Sequence, residues 1–340
     1  MEYCLDNGVL SVRVSSLGGE LQSVKKDGRE YLWQGDPAYW EGKAPNLFPY
    51  IARLTRGTCT VHGKAYQLPI HGFLPTTEMT AEAQEAEREE DSNAVRLVLR
   101  LDADERTLAC YPFVFTLRIV YELEGDSLRI TYEVTNGEKE EMYFGIGGHP
   151  GFQVPLEDGL SFEDYFLEFE TAAEPDAEPD ADGPKMGERL CGAVDQKGEA
   201  EGTQARTAER PCGPQEPVRV GFSPACFLNG KDEPYPLQGG SRIPLGHELF
   251  DDDAIVLSGT PKTVVLRSEK GSRGVRVRFP GMPYIGFWHA VKKPAPYVCI
   301  EPWSSLPSRQ DVVEELSEQP GLIHLEGEGV YRNTWSIQIF

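Results

Sequence analysis

The sequence predicts an all-β protein built from antiparallel strands, with very little helix. Hydrophobic residues recur at every second position in segments 95–101, 113–123 and 128–134, which is the spacing of a strand with one buried face. Gly125 and Asp126, between the second and third of these segments, form a hairpin-turn signal. Together the three segments predict an antiparallel meander.

Shorter strand-like segments extend this pattern along the rest of the chain. They are rich in β-branched and aromatic residues and are bounded by turn signals, at residues 9–14, 30–33, 254–257, 263–266, 275–279 and 335–339. The one modest helix predicted covers residues 309–319, ahead of Pro320 and Gly321. This order excludes parallel α/β dinucleotide folds, and no nucleotide-binding glycine motif or Gly-x-Ser-x-Gly elbow appears.

The 340 residues are long for a simple sandwich and are expected to form a single large β domain. Residues 172–217 depart from the rest of the chain. They are rich in Ala, Glu, Asp, Pro and Gly and almost lack large apolar side chains, so they cannot bury enough surface to offset the entropy of ordering. We interpret them as a flexible insertion, with a lid over the site as the alternative.

Charge and cysteine content limit the possible partners. The formal net charge is −22, which disfavours nucleic acid and anionic membranes and favours a neutral small molecule. No apolar run is long enough to span a membrane, and no signal peptide is visible at the start. The 7 cysteines are scattered and odd in number, which predicts reduced thiols in a cytoplasmic protein.

Residues 145–152, Gly-Ile-Gly-Gly-His-Pro-Gly-Phe, form the most distinctive stretch of the chain. Four glycines leave room for close approach of backbone or ligand. Pro150 biases His149 toward an extended conformation, so its imidazole projects in a defined direction from the end of a strand. The stretch indicates a histidine that contacts a ligand, and an incidental histidine in a glycine-rich turn is the alternative.

Three other polar residues are candidates for a site. Glu301 closes an apolar run before a proline, and a carboxylate at the end of a buried strand is costly unless it is paired or functional. Arg53 ends the apolar loop 46–54, where it is either a surface charge or a donor to ligand oxygens. His71 lies beside a glycine and an aromatic residue, a position where histidine usually only bonds its neighbours.

Four segments taken together resemble the aldose 1-epimerase (mutarotase) family. They are NLFPYIAR at 46–53, IHGF at 70–73, GGHPGF at 147–152 and VCIEPW at 298–303, and their order and spacing match the branch with a short C-terminal tail. The resemblance covers nearly the whole chain. It implies a galactose mutarotase-like β-supersandwich and a cofactor-independent isomerase that interconverts the α and β anomers of free aldose sugars.

The resemblance also implies roles for individual residues. By motif position His149 corresponds to the general acid and Glu301 to the general base, and no metal is implied. Arg53, His71 and Asp253 correspond to sugar-binding positions. Aromatic side chains supply apolar faces for sugar C–H groups, with core packing as the alternative for each; those assigned to the sugar are Phe152 and Trp288.

The chain departs from the family pattern at two places. Gln153 stands where the family often has Asn, and Leu74-Pro75 stands where it often has Ala-Arg. The missing arginine bears on the hydrogen bonding of His71 and so on sugar specificity.

Two other functions remain open on the sequence. One is a sugar-binding or sensing protein on the same fold without turnover. The other is a metal enzyme that uses His71, His149 and Glu301, because two histidines and a carboxylate can bind zinc. The sequence specifies neither the preferred aldose nor the oligomeric state.

Overall fold

The structure is a computed structural model that describes residues 1–85, 95–171 and 216–340. Within these ranges the α-helical content is one short helix, Glu105–Cys110, whose N-terminus is capped by the Asp104 side chain. Four short 3-10 helices accompany it at Thr55–Gly57, Leu74–Thr76, Phe162–Asp164 and His247–Phe250. The predicted antiparallel all-β architecture with little helix is confirmed.

A nine-stranded antiparallel sheet forms one wall of the molecule. In spatial order its strands are Arg242–Pro244, Tyr165–Phe169, Thr263–Ser268, Gly274–Arg278, Val330–Ile339, Ser127–Asn136, Phe115–Glu124, Val95–Asp102 and Thr80–Glu85. The predicted meander lies in this sheet, with Leu117 paired to both Val134 and Leu101. A two-residue turn, in which Gly125 has a φ of 55°, joins its two longest strands.

An eight-stranded sheet forms the opposite wall. Its strands run in the order Glu233–Pro234, Val218–Arg219, Ile255–Ser258, Tyr284–Trp288, Tyr297–Trp303, Gly147–Gly148 and Asn46–Leu47, and Gly151–Gln153 also pairs with Tyr297–Trp303. Every pairing in this sheet is antiparallel. The two short strands on either side of His149 therefore both pair with the strand Tyr297–Trp303.

The main hydrophobic core lies between the two large sheets. On the eight-stranded sheet Ile285, Phe287, Val298 and Ile300 face this core and are fully buried or nearly so. Because successive side chains of a strand point to opposite faces, the residues between them face away from the core. That outer face carries the candidate site.

Three smaller sheets complete the described fold. A four-stranded sheet contains Glu2–Asp6, Leu10–Ser15, Leu21–Lys26 and Arg29–Glu30; a three-stranded sheet contains Glu314–Glu315, Thr58–Val61 and Lys64–Gln67; and a two-stranded sheet pairs Met142–Phe144 with Ile323–Leu325. Within the described ranges, no helix has both the length and the apolarity needed to cross a membrane.

The helix predicted for residues 309–319 does not form, so that prediction was wrong. Glu314–Glu315 instead pairs in parallel with Cys59 and Thr60. The Glu314 carboxylate is buried and accepts two hydrogen bonds from the Arg309 guanidinium and a third from the Arg309 backbone N–H. These charge-assisted hydrogen bonds between Arg309 and Glu314 hold the segment in turns and in the short β-pairing with Cys59 and Thr60. Of the predicted insertion at 172–217, residues 172–215 lie outside the described ranges.

A buried hydrogen-bond network fastens the strand Gly147–Gly148 to the core. The Asn46 amide donates to the carbonyl oxygens of Gly18 and Gly19, and its own oxygen accepts from the Tyr132 hydroxyl at 2.8 Å. The Tyr132 hydroxyl also lies 3.1 Å from the Gly147 carbonyl oxygen. Asn46 is 3 % exposed, so its removal would leave its partners buried, with neither the amide nor water as a hydrogen-bond partner.

We expect Asn46→Ala to lower the free energy of unfolding by about 2–4 kcal/mol, because buried groups that lose a partner cost about 1–3 kcal/mol each. Chemical denaturation followed by tryptophan fluorescence measures the change.

Asn229→Ala is the matched control for this substitution. Asn229 also bonds to backbone, but it lies in an exposed turn where water replaces its bonds. If Asn46→Ala lowers the free energy of unfolding no more than Asn229→Ala does, the proposed anchoring role of Asn46 is contradicted.

Candidate active site

A pocket of about 250 Å³ opens on the outer face of the eight-stranded sheet. Residues from distant parts of the chain line it: Trp40, Ala52, Arg53, Ile70, His71, His149, Phe222, Cys226, Asp252, Asp253, Ala254, Val256, Trp288, Val291, Glu301, Trp303 and Pro307. The pocket combines aromatic walls with convergent polar groups, which is typical of small-molecule sites.

Glu301 reaches the pocket through the alternation of its strand. Val298 and Ile300 face the core, so Cys299, Glu301 and Trp303 face outward. The neighbouring strand contributes Gly286 opposite Glu301. A Cβ at position 286 would lie 3.3 Å from the Cβ of Glu301, so glycine keeps room beside the carboxylate.

His149 sits in the break between the strands Gly147–Gly148 and Gly151–Gln153. Its backbone N–H donates to the Pro45 carbonyl, and the Ile300 N–H donates to the Pro150 carbonyl. These bonds hold the segment against Tyr297–Trp303 and aim the imidazole into the pocket.

Close packing explains the glycines beside His149. A Cβ at Gly147 would lie 2.6 Å from the Pro302 carbonyl oxygen, and one at Gly148 would lie 2.6 Å from the Trp335 ring. No side chain fits at either distance. The glycines therefore allow the histidine segment to pack directly on its neighbours.

His149 and Glu301 meet at the floor of the pocket. His149 Nε2 lies 3.2 Å from Glu301 Oε2, and the two side chains are only 10 % and 1 % exposed. Despite this short distance, neither carboxylate oxygen of Glu301 has an aligned hydrogen bond with any described residue, and neither does Nδ1 of His149. Buried polar atoms without partners are rare, and here they converge on a pocket that a ligand can fill.

Burial sets the protonation of this pair. It raises the pKa of Glu301 well above its usual value, with the charge of Asp253 as the second cause. It lowers the pKa of His149 well below its usual value, with His71 as the second cause. Burial therefore favours the neutral imidazole and the protonated carboxyl group.

His71 faces His149 edge-on, with ring centroids 5.5 Å apart. The ring Nδ1 of His71 accepts a hydrogen bond from the Ala52 backbone N–H at 3.2 Å, and the backbone N–H of His71 donates to the Ala52 carbonyl. An accepting Nδ1 places the ring proton on Nε2. Burial lowers the pKa of His71 to about 4, with Arg53 as the second cause, so the ring is a neutral donor at neutral pH.

Arg53 also lines the pocket. Its backbone carbonyl accepts from the Ser308 N–H, which fixes the chain at this point. Its guanidinium makes no hydrogen bond or ion pair with any residue in the described ranges. The side chain thus offers donors to a bound molecule.

Asp253 and Cys226 form a linked pair on the pocket wall. The Cys226 thiol donates to Asp253 Oδ2 at 2.7 Å, while Oδ1 accepts from the Ala254 N–H at 2.9 Å. Burial, together with Asp253, raises the pKa of Cys226 to about 12, so the thiol keeps its proton. Both residues have a left-handed backbone, with φ values of 62° and 80°.

Two tryptophans enclose His149. The Trp40 ring lies 4.9 Å from the imidazole and the Trp288 ring 5.7 Å from it, measured between centroids. Phe152, also predicted to contact the sugar, is instead fully buried in the main core and does not line the pocket. It is three positions from His149 and pairs with Val298, whose side chain faces the core.

Six of the seven candidate residues from the sequence line this one cavity: Arg53, His71, His149, Asp253, Trp288 and Glu301. Two further lining residues, Trp40 and Cys226, were not among the candidates. An aromatic residue in the proline-rich segment 36–54, next to the NLFPYIAR motif, was a signal for Trp40. No pattern in the sequence marks Cys226.

The arrangement also bears on metal binding. Within the described ranges, the group of three residues whose ligand atoms lie close together is His149, Cys299 and Glu301, with all of these atoms within 4.8 Å of one another. His71, a member of the predicted metal set, is not in that group, and its Nδ1 is taken by Ala52.

Two comparisons with known protein sequences identify the family of this chain. The family model described as aldose 1-epimerase matches residues 1–314. The chain is 33% identical to the plasmid-encoded protein LacX of Lactococcus lactis subsp. lactis over 326 residues, which is 93% of this chain and 92% of that protein.

Solved structures agree in fold. A galactose mutarotase related enzyme from Lactobacillus acidophilus has a TM-score of 0.80 at 28% identity, covering 100% of this chain and 97% of that one. A galactose mutarotase-like protein from Lactobacillus casei has a TM-score of 0.80 at 24% identity, covering 100% of both chains. On the family match and the relative, the chain belongs to the aldose 1-epimerase family.

Proposed function

We propose that this protein is an aldose 1-epimerase that interconverts the α and β anomers of a free aldose. The observation that carries the proposal is the 3.2 Å approach of His149 Nε2 to Glu301 Oε2 at the floor of a buried pocket. One group can donate a proton while the other accepts one. Both side chains line the pocket, whose volume of about 250 Å³ suits a monosaccharide.

The reaction requires one proton on the pair. Glu301 removes the proton of the anomeric hydroxyl while protonated His149 donates to the ring oxygen, and the bond between C1 and the ring oxygen breaks. The aldehyde rotates about the C1–C2 bond. On closure the C5 hydroxyl attacks the other face of the aldehyde and returns its proton to His149, while Glu301 reprotonates the anomeric oxygen. Atoms and protons balance, and no electrons are exchanged.

Burial of His149 and Glu301 favours their protonation states in the ring-opened intermediate. After ring opening the proton is on Glu301 and His149 is neutral, which is the distribution that the raised and lowered pKa values favour. The cyclic sugar must therefore stabilise the opposite distribution when it binds. The neighbouring polar groups are suited to that, because Arg53 has free donors and His71 presents an Nε2 proton.

Sugar binding without turnover is the second candidate function. What favours it is the raised pKa of Glu301, because a carboxyl group whose charged form is disfavoured by burial is a less available base. The two candidate functions predict different effects of removing the basicity of Glu301: a loss of turnover for the epimerase, and no loss of turnover for a protein that only binds sugar.

We expect the protein to accelerate the approach of freshly dissolved α-aldoses to anomeric equilibrium, measured by polarimetry or exchange NMR. Glu301→Gln keeps the shape of the side chain and removes its basicity, so kcat should fall by about 10²–10⁴-fold, with a much smaller change in sugar affinity. His149→Asn should reduce kcat similarly.

Glu168→Gln is the control, because Glu168 is largely buried in an ion-pair cluster outside the pocket. It should leave the rate unchanged. If the wild-type protein accelerates no aldose, or if Glu301→Gln weakens binding while the rate persists, the assignment of Glu301 as a base is wrong.

The protonation of the pair predicts the pH dependence. Because the pKa of His149 is lowered, the pair takes up an inactivating second proton only at a pH well below 6.5. Because the pKa of Glu301 is raised, the last proton is lost only at a pH well above 4.5. We expect kcat from exchange NMR to form a bell whose acid limb lies below pH 6.5. An acid limb above pH 6.5 would contradict this account.

The thiol of Cys226 is expected to position Asp253 for sugar binding. Cys226→Ala removes one hydrogen bond to the carboxylate, so KM should rise about threefold to tenfold while kcat changes little. Cys226→Ser keeps a donor and should restore most of the affinity. Steady-state kinetics on the preferred aldose gives both constants.

The Cys226–Asp253 pair can be tested by a double-mutant cycle. Cys226→Ala in an Asp253→Asn background should have little further effect, since the carboxylate it orients is gone. Cys110→Ala is the control, because that thiol bonds to a helix carbonyl away from the pocket. Full additivity of the two pocket substitutions would show that the residues act independently.

A further inference from the structure

We propose that His149, Cys299 and Glu301 form a binding site for a thiophilic divalent cation such as zinc, and that zinc bound there inhibits the protein. The binding part of this proposal stands on geometry alone. The inhibition part rests on the proposed acid–base function of His149 and Glu301.

The ligand atoms are close to the spacing that zinc requires. Zn–N distances of about 2.0–2.1 Å and Zn–S distances of about 2.3 Å place the ligand atoms of a tetrahedral site roughly 3.3–3.7 Å apart. His149 Nε2 and Glu301 Oε2 are 3.2 Å apart, and all the ligand atoms of the group lie within 4.8 Å of one another. Side-chain shifts of about an ångström are enough to close the site around an ion.

The fold brings the Cys299 thiol to this place within a small hydrophobic cluster that also contains Trp33 and Tyr297. Cys299 is two positions before Glu301 on one strand, so both side chains are on the outer face. Its strand partner Gly151 is two positions after His149. The thiol is fully buried and makes no hydrogen bond with the residues described. The proposed reaction has no step for it.

The donor set selects the class of cation. Thiolate, imidazole and carboxylate are together a zinc-type set, whereas Mg²⁺ and Ca²⁺ prefer oxygen ligands alone. Three protein ligands leave one position open to water from the pocket.

Binding is a proton exchange. The Cys299 thiol must release its proton to solvent to bind as a thiolate, Glu301 binds as the carboxylate, and neutral His149 binds through its ring lone pair. Zinc affinity should therefore increase with pH. With zinc bound, neither His149 nor Glu301 can transfer a proton to or from a sugar, so turnover stops.

The inhibition test uses metal-free protein with added zinc chloride. We expect anomer interconversion by the wild type to be inhibited and then restored by excess chelator. Cys299→Ala should raise the zinc concentration for half-inhibition at least tenfold, each variant being normalised to its own rate without zinc. Cys59→Ala is the matched control, since Cys59 is equally buried but lies in the main core; it should leave the inhibition unchanged.

A second measurement does not depend on activity. Co²⁺ titration should give a thiolate-to-metal absorption band in the wild type and in Cys59→Ala, and none in Cys299→Ala. If Cys299→Ala does not fold, Cys299→Ser takes its place as a poor zinc ligand of similar size.

The outcomes separate the two proposals. No thiolate band, or zinc binding that is equal in the Cys299 variant, overturns the metal site. A band in a protein that accelerates no aldose keeps the metal site and rejects the proposed function. Normal turnover with neither zinc inhibition nor a thiolate band rejects the metal site and keeps the function, and a band without inhibition rejects the inhibition.

Discussion

The alternation of side chains along the strand Tyr297–Trp303 is the constraint on which the rest of the site depends. One face of this strand fills the core between the two large sheets, and the other face forms the floor of the pocket. Shifting the strand by a single residue would place Glu301 in the core and Ile300 in the pocket. The core packing that stabilises the fold therefore also fixes the position of the carboxylate.

The second partner is positioned by the same strand. The His149 segment is joined to Tyr297–Trp303 by the pairing of Gly151 with Cys299 and by the bond from Ile300 to the Pro150 carbonyl. His149 and Glu301, the proposed acid and base, thus sit on adjacent backbone segments within one sheet, although 152 positions separate them in sequence. Rigid positioning matters because proton transfer falls off steeply with misplacement of the reacting groups. It also keeps two ionisable groups in a site where burial opposes charge on both.

Sequence patterns predicted the strands well, because alternation over eight to ten residues is a direct consequence of a sheet with one buried face. They failed for residues 309–319, where apolar spacing fits a helix but the buried carboxylate of Glu314 fixes turns. They failed for Phe152 because its face depends on pairing register, which motif matching does not reveal. Trp40 and Cys226 reach the pocket through tertiary packing of loops; the sequence carries a signal for Trp40, its place beside the NLFPYIAR motif, and none for Cys226.

The departure at Leu74-Pro75 shows how the site tolerates a change in a neighbouring motif. The tautomer and orientation of His71 are held by two backbone bonds to Ala52, so they do not require an arginine side chain after the motif. Leu74 is fully buried and opens a short 3-10 turn, and its N–H donates to the Phe48 carbonyl. Packing and a backbone hydrogen bond thus hold this position in place. Among the described residues that line the pocket, Arg53 is the one with a permanently charged cationic side chain.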